Sequence, residues 1–306
     1  MTSRRRPFRR APLARRSKLA LAVAAGVLFA AGLYLGVHFA KPPPPPDFGA
    51  PAPAPASAEL ATVEAPAVPA PAPFEIRRQP PPALGGRPKI ALIIDDLGRS
   101  VADLDALARL DVPLTYSVLP FESHTSEVVA ALSRRRVEYL LHLPMEAKGG
   151  ANPGPGALLL AMSPEELRDA TRRALGAVPG AMGVNNHMGS GISAERDAIT
   201  AVLSVVAEEK LYYVDSRTSA DTLGYSVARQ LGVPAAERQV FLDAAIEREA
   251  IHEQFDRLLD VARRRGGAIA IAHPHQETLD VLAAAIREAR DEGFEFVTAS
   301  ALLDGA

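Results

Sequence analysis

From Lys89 onward, short apolar runs alternate with longer amphipathic stretches. The runs are KIALII (89–94), LTYSVL (114–119), VEYLLHL (137–143), AMGVNN (181–186), LYYV (211–214), VFL (240–242), AIAIA (268–272) and FEFV (294–297). Their near-continuous hydrophobicity is the pattern of strands buried on both faces. Helical spacing fills the intervals over 100–110, 124–136, 194–209, 218–231, 247–265 and 276–291. A further helix starts at Ser163-Pro164-Glu165-Glu166, with an N-cap serine, a proline at N1 and a glutamate at N3. That is a capping box. Strands separated by helices predict a parallel α/β sheet covered by helices. Seven or eight such units after Lys89 predict a closed or nearly closed barrel, with a doubly wound open sheet as the competing architecture. No glycine-rich phosphate loop of the dinucleotide or Walker type follows a strand.

Upstream of Lys89 the pattern changes twice. Residues 19–37, LALAVAAGVLFAAGLYLGV, are an uncharged run of 19, about the length that crosses a hydrocarbon core. Eight basic residues precede it, so the positive-inside rule keeps that end in the cytoplasm. A cleaved signal peptide is the alternative, but its apolar region is usually shorter. The expectation is a single-pass anchor in a bacterial inner membrane, with a cytoplasmic tail at 1–18, a transmembrane helix at 19–40 and the rest extracytoplasmic. Between Lys41 and Pro88 lie 16 of the 27 prolines, which favours an extended polyproline spacer. The folded domain is then 89–306.

Charge and composition narrow the chemistry. Residues 1–41 hold 9 of the 34 Lys+Arg and none of the 36 Asp+Glu. The remainder carries 25 against 36, a net of −11, which argues against a nucleic-acid partner. There is no cysteine, so disulfides, thiolate metal sites and cysteine nucleophiles are excluded. Metal-capable and proton-carrying residues gather where the strands end. Asp95-Asp96 closes the first strand, His142 lies in the third, and Asn185-Asn186-His187 ends the fourth. Asp215-Ser216-Arg217 follows the fifth, Asp243 the sixth and His273-Pro274-His275 the seventh. In a parallel barrel these ends share one rim. One strand-end Asp is ordinarily a helix cap; several histidines and carboxylates on one rim read as a divalent-metal hydrolase site.

In this order IIDDLG, HLPMEA, GVNNHMGS, VDSRTSA, FLDA and AIAIAHPHQETLDVL resemble the divergent polysaccharide deacetylase family, a branch of the NodB-homology carbohydrate deacetylases and esterases. The resemblance spans 89–306. It implies a distorted (β/α)7-type barrel, an acetylated carbohydrate substrate and a divalent metal, Zn²⁺ being expected. By the same resemblance Asp95 is the general base, Asp96 and His142 are metal ligands, and His273 is the general acid. Arg217 matches the arginine that orients the base, and Asp243 is the candidate to orient His273 or its substrate. The superfamily's His-x-x-x-His motif here reads His142-Leu143-Pro144-Met145-Glu146, so its second histidine is replaced. His187 or Glu146 would supply the third ligand, and His187 is preferred because a sheet positions it. Asn186, Asp215 and His275 are expected to touch substrate, His275 being equally suited to an exposed helix cap. A metal-binding but non-catalytic barrel acting as an envelope glycan-binding or scaffolding protein is the competing function.

Four features have simpler explanations. His124 is read as a helix start and His252 as a solvent-facing helix residue. The runs Arg134–Arg136 and Arg263–Arg265 end helices, where positive charge complements the dipole. Of Tyr212 and Tyr213, which alternate on a strand, one is expected in the core.

Overall fold

A computed structural model of the chain describes residues 86–303. The expected cytoplasmic tail, membrane anchor and all but the end of the proline-rich spacer fall outside them. No helix among the described residues is long and apolar enough to cross a membrane.

Nine strands form one parallel sheet: β1 (Lys89–Leu97), β2 (Thr115–Val118), β3 (Tyr139–Met145), β4 (Gly183–Met188), β5 (Tyr212–Asp215), β6 (Ala235–Glu237), β7 (Val240–Phe241), β8 (Gly267–Ala272) and β9 (Glu295–Val297). The intervening helices are α1 (Ala102–Ala108), α2 (Thr125–Arg135), α3 (Pro164–Ala177), α4 (Arg196–Glu208), α5 (Gly224–Gln230), α6 (Arg248–Arg265) and α7 (Gln276–Asp291). Spatial order is β6-β5-β4-β3-β2-β1-β8-β7, with β9 added to β1. The order runs without the reversal of a doubly wound sheet. The sheet curls into a half-barrel of the expected parallel α/β class.

Two apolar clusters show the curl. Even-numbered residues of β1 (Ile90, Leu92, Ile94) join the large cluster under the helices. Ala91 and Ile93 instead meet Leu140, Tyr212, Val214, Ala236, Ile269 and Ile271 in a second cluster on the inner face. Alternation along each strand thus divides residues between a helix-covered outer face and an inner face filled by the sheet's own side chains. Gly183 belongs to the inner set, where a Cβ would stand 2.7 Å from the Tyr212 ring. Both tyrosines are fully buried, Tyr212 inward and Tyr213 outward.

The local signals were followed closely. Ser163 Oγ accepts from the Glu166 N–H, and the Glu166 carboxylate accepts from the Ser163 N–H at 2.7 Å, completing the capping box on α3. Helix α6 ends with Arg263, Arg264 and Arg265 in its last turn and Gly266 in the left-handed conformation. His124 is the N-cap position of α2, and His252 is exposed beside Asp256. One strand lacked a signal: β6 is Ala-Ala-Glu, neither β-branched nor long, and it exists by pairing with β5. The ladder is interrupted between β6 and β7. There Arg238 donates its backbone N–H to Asp215 O, and Gln239 donates its own to Ile269 O, so two residues carry the chain between the sheet's ends.

Candidate functional site

Alternation sets which strand-end groups meet. Asp95, Ser117, His142, Asn185 and His187 continue the inner-face parity of β1, β2, β3 and β4 beyond the apolar layer. Asp96 has the opposite parity and would turn away. A register irregularity between Ile94 and Leu97, with Asp96 at φ 61°, brings its carboxylate back to the same side.

Asn185 lies at the centre of this group. Its Nδ2 donates to Asp95 Oδ1 at 2.8 Å, and its Oδ1 accepts from Ser117 Oγ (2.5 Å) and His142 Nδ1 (2.8 Å). An ionised carboxylate only accepts, so the amide nitrogen must face Asp95 and its oxygen must face the other two. That oxygen requires a proton on His142 Nδ1, which turns the Nε2 lone pair of the neutral ring toward Asp96 and His187. All three inner residues, Asp95, His142 and Asn185, are at most 3% exposed.

Three ligand-type atoms converge there. His187 Nδ1 lies 2.9 Å from Asp96 Oδ1 and 3.1 Å from His142 Nε2, and His142 Nε2 lies 3.3 Å from Asp96 Oδ1. Asp96 Oδ1 is buried yet takes no well-oriented hydrogen bond. Ligands about 2.0–2.2 Å from a tetrahedral ion stand about 3.3–3.5 Å apart, close to this triangle. Burial alone would raise the Asp96 pKa, but the adjacent imidazoles of His142 and His187 hold it far below the usual carboxylate range. Burial likewise disfavours charge on His142, while Asp95 and Asp96 outweigh it and push its pKa up. A field that draws a proton to that nitrogen draws a metal cation in competition. The oxygen and nitrogen donors therefore fit a small divalent ion.

Glu146 is not in this group. Its Oε2 accepts from the Leu160 N–H at 2.8 Å, and its backbone oxygen accepts from Gly191 and Ile192. It pins the β3–α3 loop, and the residue that stands beside Asp96 and His142 is His187.

Across the rim, His273 and Asp243 form a pair. Asp243 Oδ1 is 3.0 Å from His273 Nδ1, while Oδ2 accepts from the His273 N–H (2.7 Å) and Thr278 Oγ1 (2.9 Å). Burial opposes the charge on each, but their mutual hydrogen bond and attraction win. The Asp243 pKa is lowered and that of His273 raised, with Asp95 and Asp96 adding to the latter. The exposed His275 is the N-cap position of α7, its ring 5.7 Å from that of His273.

Three expected site residues point away from the rim. Asn186 has outward parity: its Oδ1 accepts from Tyr213 Oη and the Ser216 N–H, and its Nδ2 donates to Met188 O. Asp215, also outward and fully buried, accepts from the Arg217 and Tyr225 N–H groups and from Thr222 Oγ1. Both residues are buried and fasten the β5–α5 loop. A Cβ on Gly224 would sit 2.7 Å from Asp215 Oδ2, so glycine leaves room for this clasp. Arg217 extends outward to pair with Glu237 and makes no ion pair with Asp95. The guanidinium that feels the Asp95 charge is Arg238, which donates to Ser216 O and Arg217 O. Ser117, Asn185 and Arg238 were missed; inner-face parity would have flagged the first two.

A parallel half-barrel with two carboxylates, two converging imidazoles and an opposed His–Asp pair on one rim defines a candidate metallohydrolase. The family is settled by comparison: residues 92–303 match the model of the divergent polysaccharide deacetylases, and the chain belongs to that family. Among curated proteins it is 34% identical over 201 residues to the uncharacterized protein YibQ of Escherichia coli K12, covering 66% of this chain and 62% of that protein. It is 30% identical over 199 residues to an uncharacterized protein of Haemophilus influenzae, covering 65% and 71%. The chain thus spans less than two thirds of the E. coli relative. Among solved structures, the uncharacterized protein ATU2773 of Agrobacterium tumefaciens superposes with a TM-score of 0.67 at 28% identity, covering 72% of this chain and 92% of that one.

Proposed function

We propose that this protein is a metal-dependent hydrolase that removes acetyl groups from a carbohydrate of the bacterial envelope, tethered to the inner membrane by residues 19–40. The observation that carries the reading is the convergence of Asp96 Oδ1, His142 Nε2 and His187 Nδ1 beside the buried Asp95. Those three residues would hold the ion, Zn²⁺ being the first choice for two imidazoles and a carboxylate. A bound ion would supply Lewis-acid polarisation of the acetyl carbonyl and a lowered pKa for the attacking water.

The remaining steps belong to the chain's own groups. Asp95, held by Asn185, takes a proton from water as its oxygen bonds to the acetyl carbon. As the bond from that carbon to the sugar's nitrogen or oxygen breaks, His273 gives its proton to the leaving atom. Asp243 stabilises the imidazolium and fixes its Nδ1 proton, so Nε2 is the nitrogen that turns to substrate. One carboxylate on the metal and one beside it separates ligand from base.

The test is the full chain, purified in non-ionic detergent, loaded with Zn²⁺ or Co²⁺ and assayed for acetate release from acetylated glycans and chromogenic acetyl esters. Stoichiometric metal with metal-dependent acetate release is expected. Metal and glycan binding with no cleavage of any substrate would instead make it a binding barrel. For the topology, protease added to spheroplasts should degrade the domain; full protection would overturn the anchor.

A further inference from the structure

The barrel's interrupted seam contains a second feature, on the outside of the sheet and separate from the metal group. Every other pair of strands consecutive in the chain from β1 to β8 is joined by a connection that carries a helix, whereas β6 passes to β7 through Arg238 and Gln239 alone. One helix is therefore missing from the outer layer. A cavity of about 420 Å³ lies there, lined by Arg217, Glu237 and Arg238 on one side and by Arg257, Arg264 and Arg265 on the other.

The charge in it is lopsided. Five guanidinium groups face one carboxylate, and Arg217 occupies that carboxylate. Arg238 is half-buried and its donors reach only carbonyl oxygens. Burial and the like charges of Arg217 and Arg257 push its pKa down, against the opposing pull of the Asp95 and Asp215 carboxylates. Arg257, Arg264 and Arg265 have no ion-pair partner among the described residues. The helix dipole accounts for arginine in the last turn of α6, but not for Arg257 two turns earlier, nor for Arg238. Positions 257, 261, 264 and 265 share one helical face, so α6 turns a basic stripe into the cavity. This occurs in a region that is net acidic overall.

The seam also communicates with the rim. A second cavity of about 300 Å³ shares Arg238, Gln239 and Arg257 with the first and extends to Ala244, beside Asp243. Arg238 stands 5.0 Å above the Phe241 ring, whose centre is 5.4 Å from that of His273.

We infer that the seam is a binding groove for an acidic glycan, whose carboxylate or phosphodiester groups pair with Arg238, Arg257, Arg264 and Arg265. This rests on the carbohydrate reading above and gives the substrate its chemical class. Guanidinium forks donate to either oxyanion in bidentate fashion, and arginines spaced along a groove suit a polymer better than a single small anion. A neutral sugar would leave the guanidinium groups unpaired.

The experiment measures binding of fluorescent oligogalacturonate, a glycerol-phosphate oligomer and neutral chitohexaose to the full chain in non-ionic detergent with a chelator present. At least one anionic probe should bind about tenfold or more tighter than chitohexaose, and the stronger of the two identifies the oxyanion. Its affinity should fall as salt rises. Arg257→Glu/Arg264→Glu should weaken it by roughly tenfold or more, and the uncharged Arg257→Gln/Arg264→Gln by less. Arg134→Glu/Arg136→Glu, on another helix, should leave it unchanged. Equal affinity for neutral and anionic probes, or no effect of either seam pair, would overturn the inference. Metal content and acetate release of the wild-type chain, measured in parallel, report the hydrolase reading by itself.

Discussion

Two groups on the rim have the same composition, one aspartate and two histidines, with ligand-type atoms within 4.8 Å of one another. Hydrogen-bond saturation separates them. In Asp243–His273–His275, both carboxylate oxygens are engaged, by two backbone or hydroxyl donors and the His273 ring. In Asp96–His142–His187, the buried oxygen at the centre has no oriented donor, and the amide of Asn185 locks the His142 tautomer from behind. A satisfied aspartate holds an imidazole and tunes its proton. An unsatisfied one flanked by two imidazole nitrogens has the donor set that suits a cation. Residue type alone does not distinguish a proton-handling pair from a metal site.

The largest predicted effect tests that contrast directly. His187→Ala should abolish stoichiometric Zn²⁺ binding by metal analysis of dialysed protein, while Asp243→Asn retains it. The reverse pattern would exchange the roles of the two groups. Next in size is catalysis without ligation. Asp95→Asn should keep the metal and lose deacetylation by about 10²–10⁴-fold, the usual scale for general acid–base catalysis. His273→Ala should match it on amides and lose less on esters with good leaving groups, which need no protonation. Metal loss in either variant would place that side chain among the ligands.

The shared architecture explains what could be read from the chain. Near-continuous apolar runs such as KIALII and AIAIA marked the strands, and alternating helical stretches marked a parallel sheet. The strand ends carried the rim residues, and the capping box fixed the start of α3. Two of the misreadings share a cause. Ends were counted without following alternation to the last residue, so outward Asn186 and Asp215 were taken for site residues and inward Asn185 and Ser117 were not. Asp96 defies alternation altogether, through a bulge that the Asp-Asp pair alone does not reveal. Arg217 and Arg238 are harder still, because the two-residue crossing that aims Arg238 depends on β6, whose Ala-Ala-Glu sequence has no strand signature.

Asn185 gives the next, smaller effect. Outer-shell partners of a ligating histidine commonly matter about 10–100-fold in metal affinity. Asn185→Ala frees the His142 ring to take its other tautomer and unpairs Asp95, so a chelator-competition titration should show a loss in that range. An unchanged affinity would mean that the first-rank ligands orient themselves. Asp243→Asn should shift the other group more gently. Its carboxylate raises the His273 pKa above the ordinary value, against burial. The acid form of His273 therefore persists to higher pH in the native protein. Removing the charge lowers that pKa, so the alkaline limb of the kcat/KM profile should move to lower pH. A limb that stays in place would assign it to another group.

The smallest effect belongs to Glu146, the residue standing where the superfamily motif has its second histidine. Its carboxylate accepts one N–H, from Leu160, across the loop that follows β3. Its backbone oxygen does the rest of the fastening through Gly191 and Ile192, and substitution leaves that oxygen in place. Glu146→Ala should therefore cost about 0.5–1.5 kcal/mol in a denaturant titration, the worth of one ordinary hydrogen bond. Zn²⁺ stoichiometry should be unchanged, because the triangle of Asp96, His142 and His187 closes without it. Glu146→His restores the motif's residue type, yet that side chain starts from a position aimed at the loop. It should lose the Leu160 bond without tightening Zn²⁺. Tighter binding in Glu146→His, or lost stoichiometry in Glu146→Ala, would mean that the loop swings inward and that His187 shares the third position.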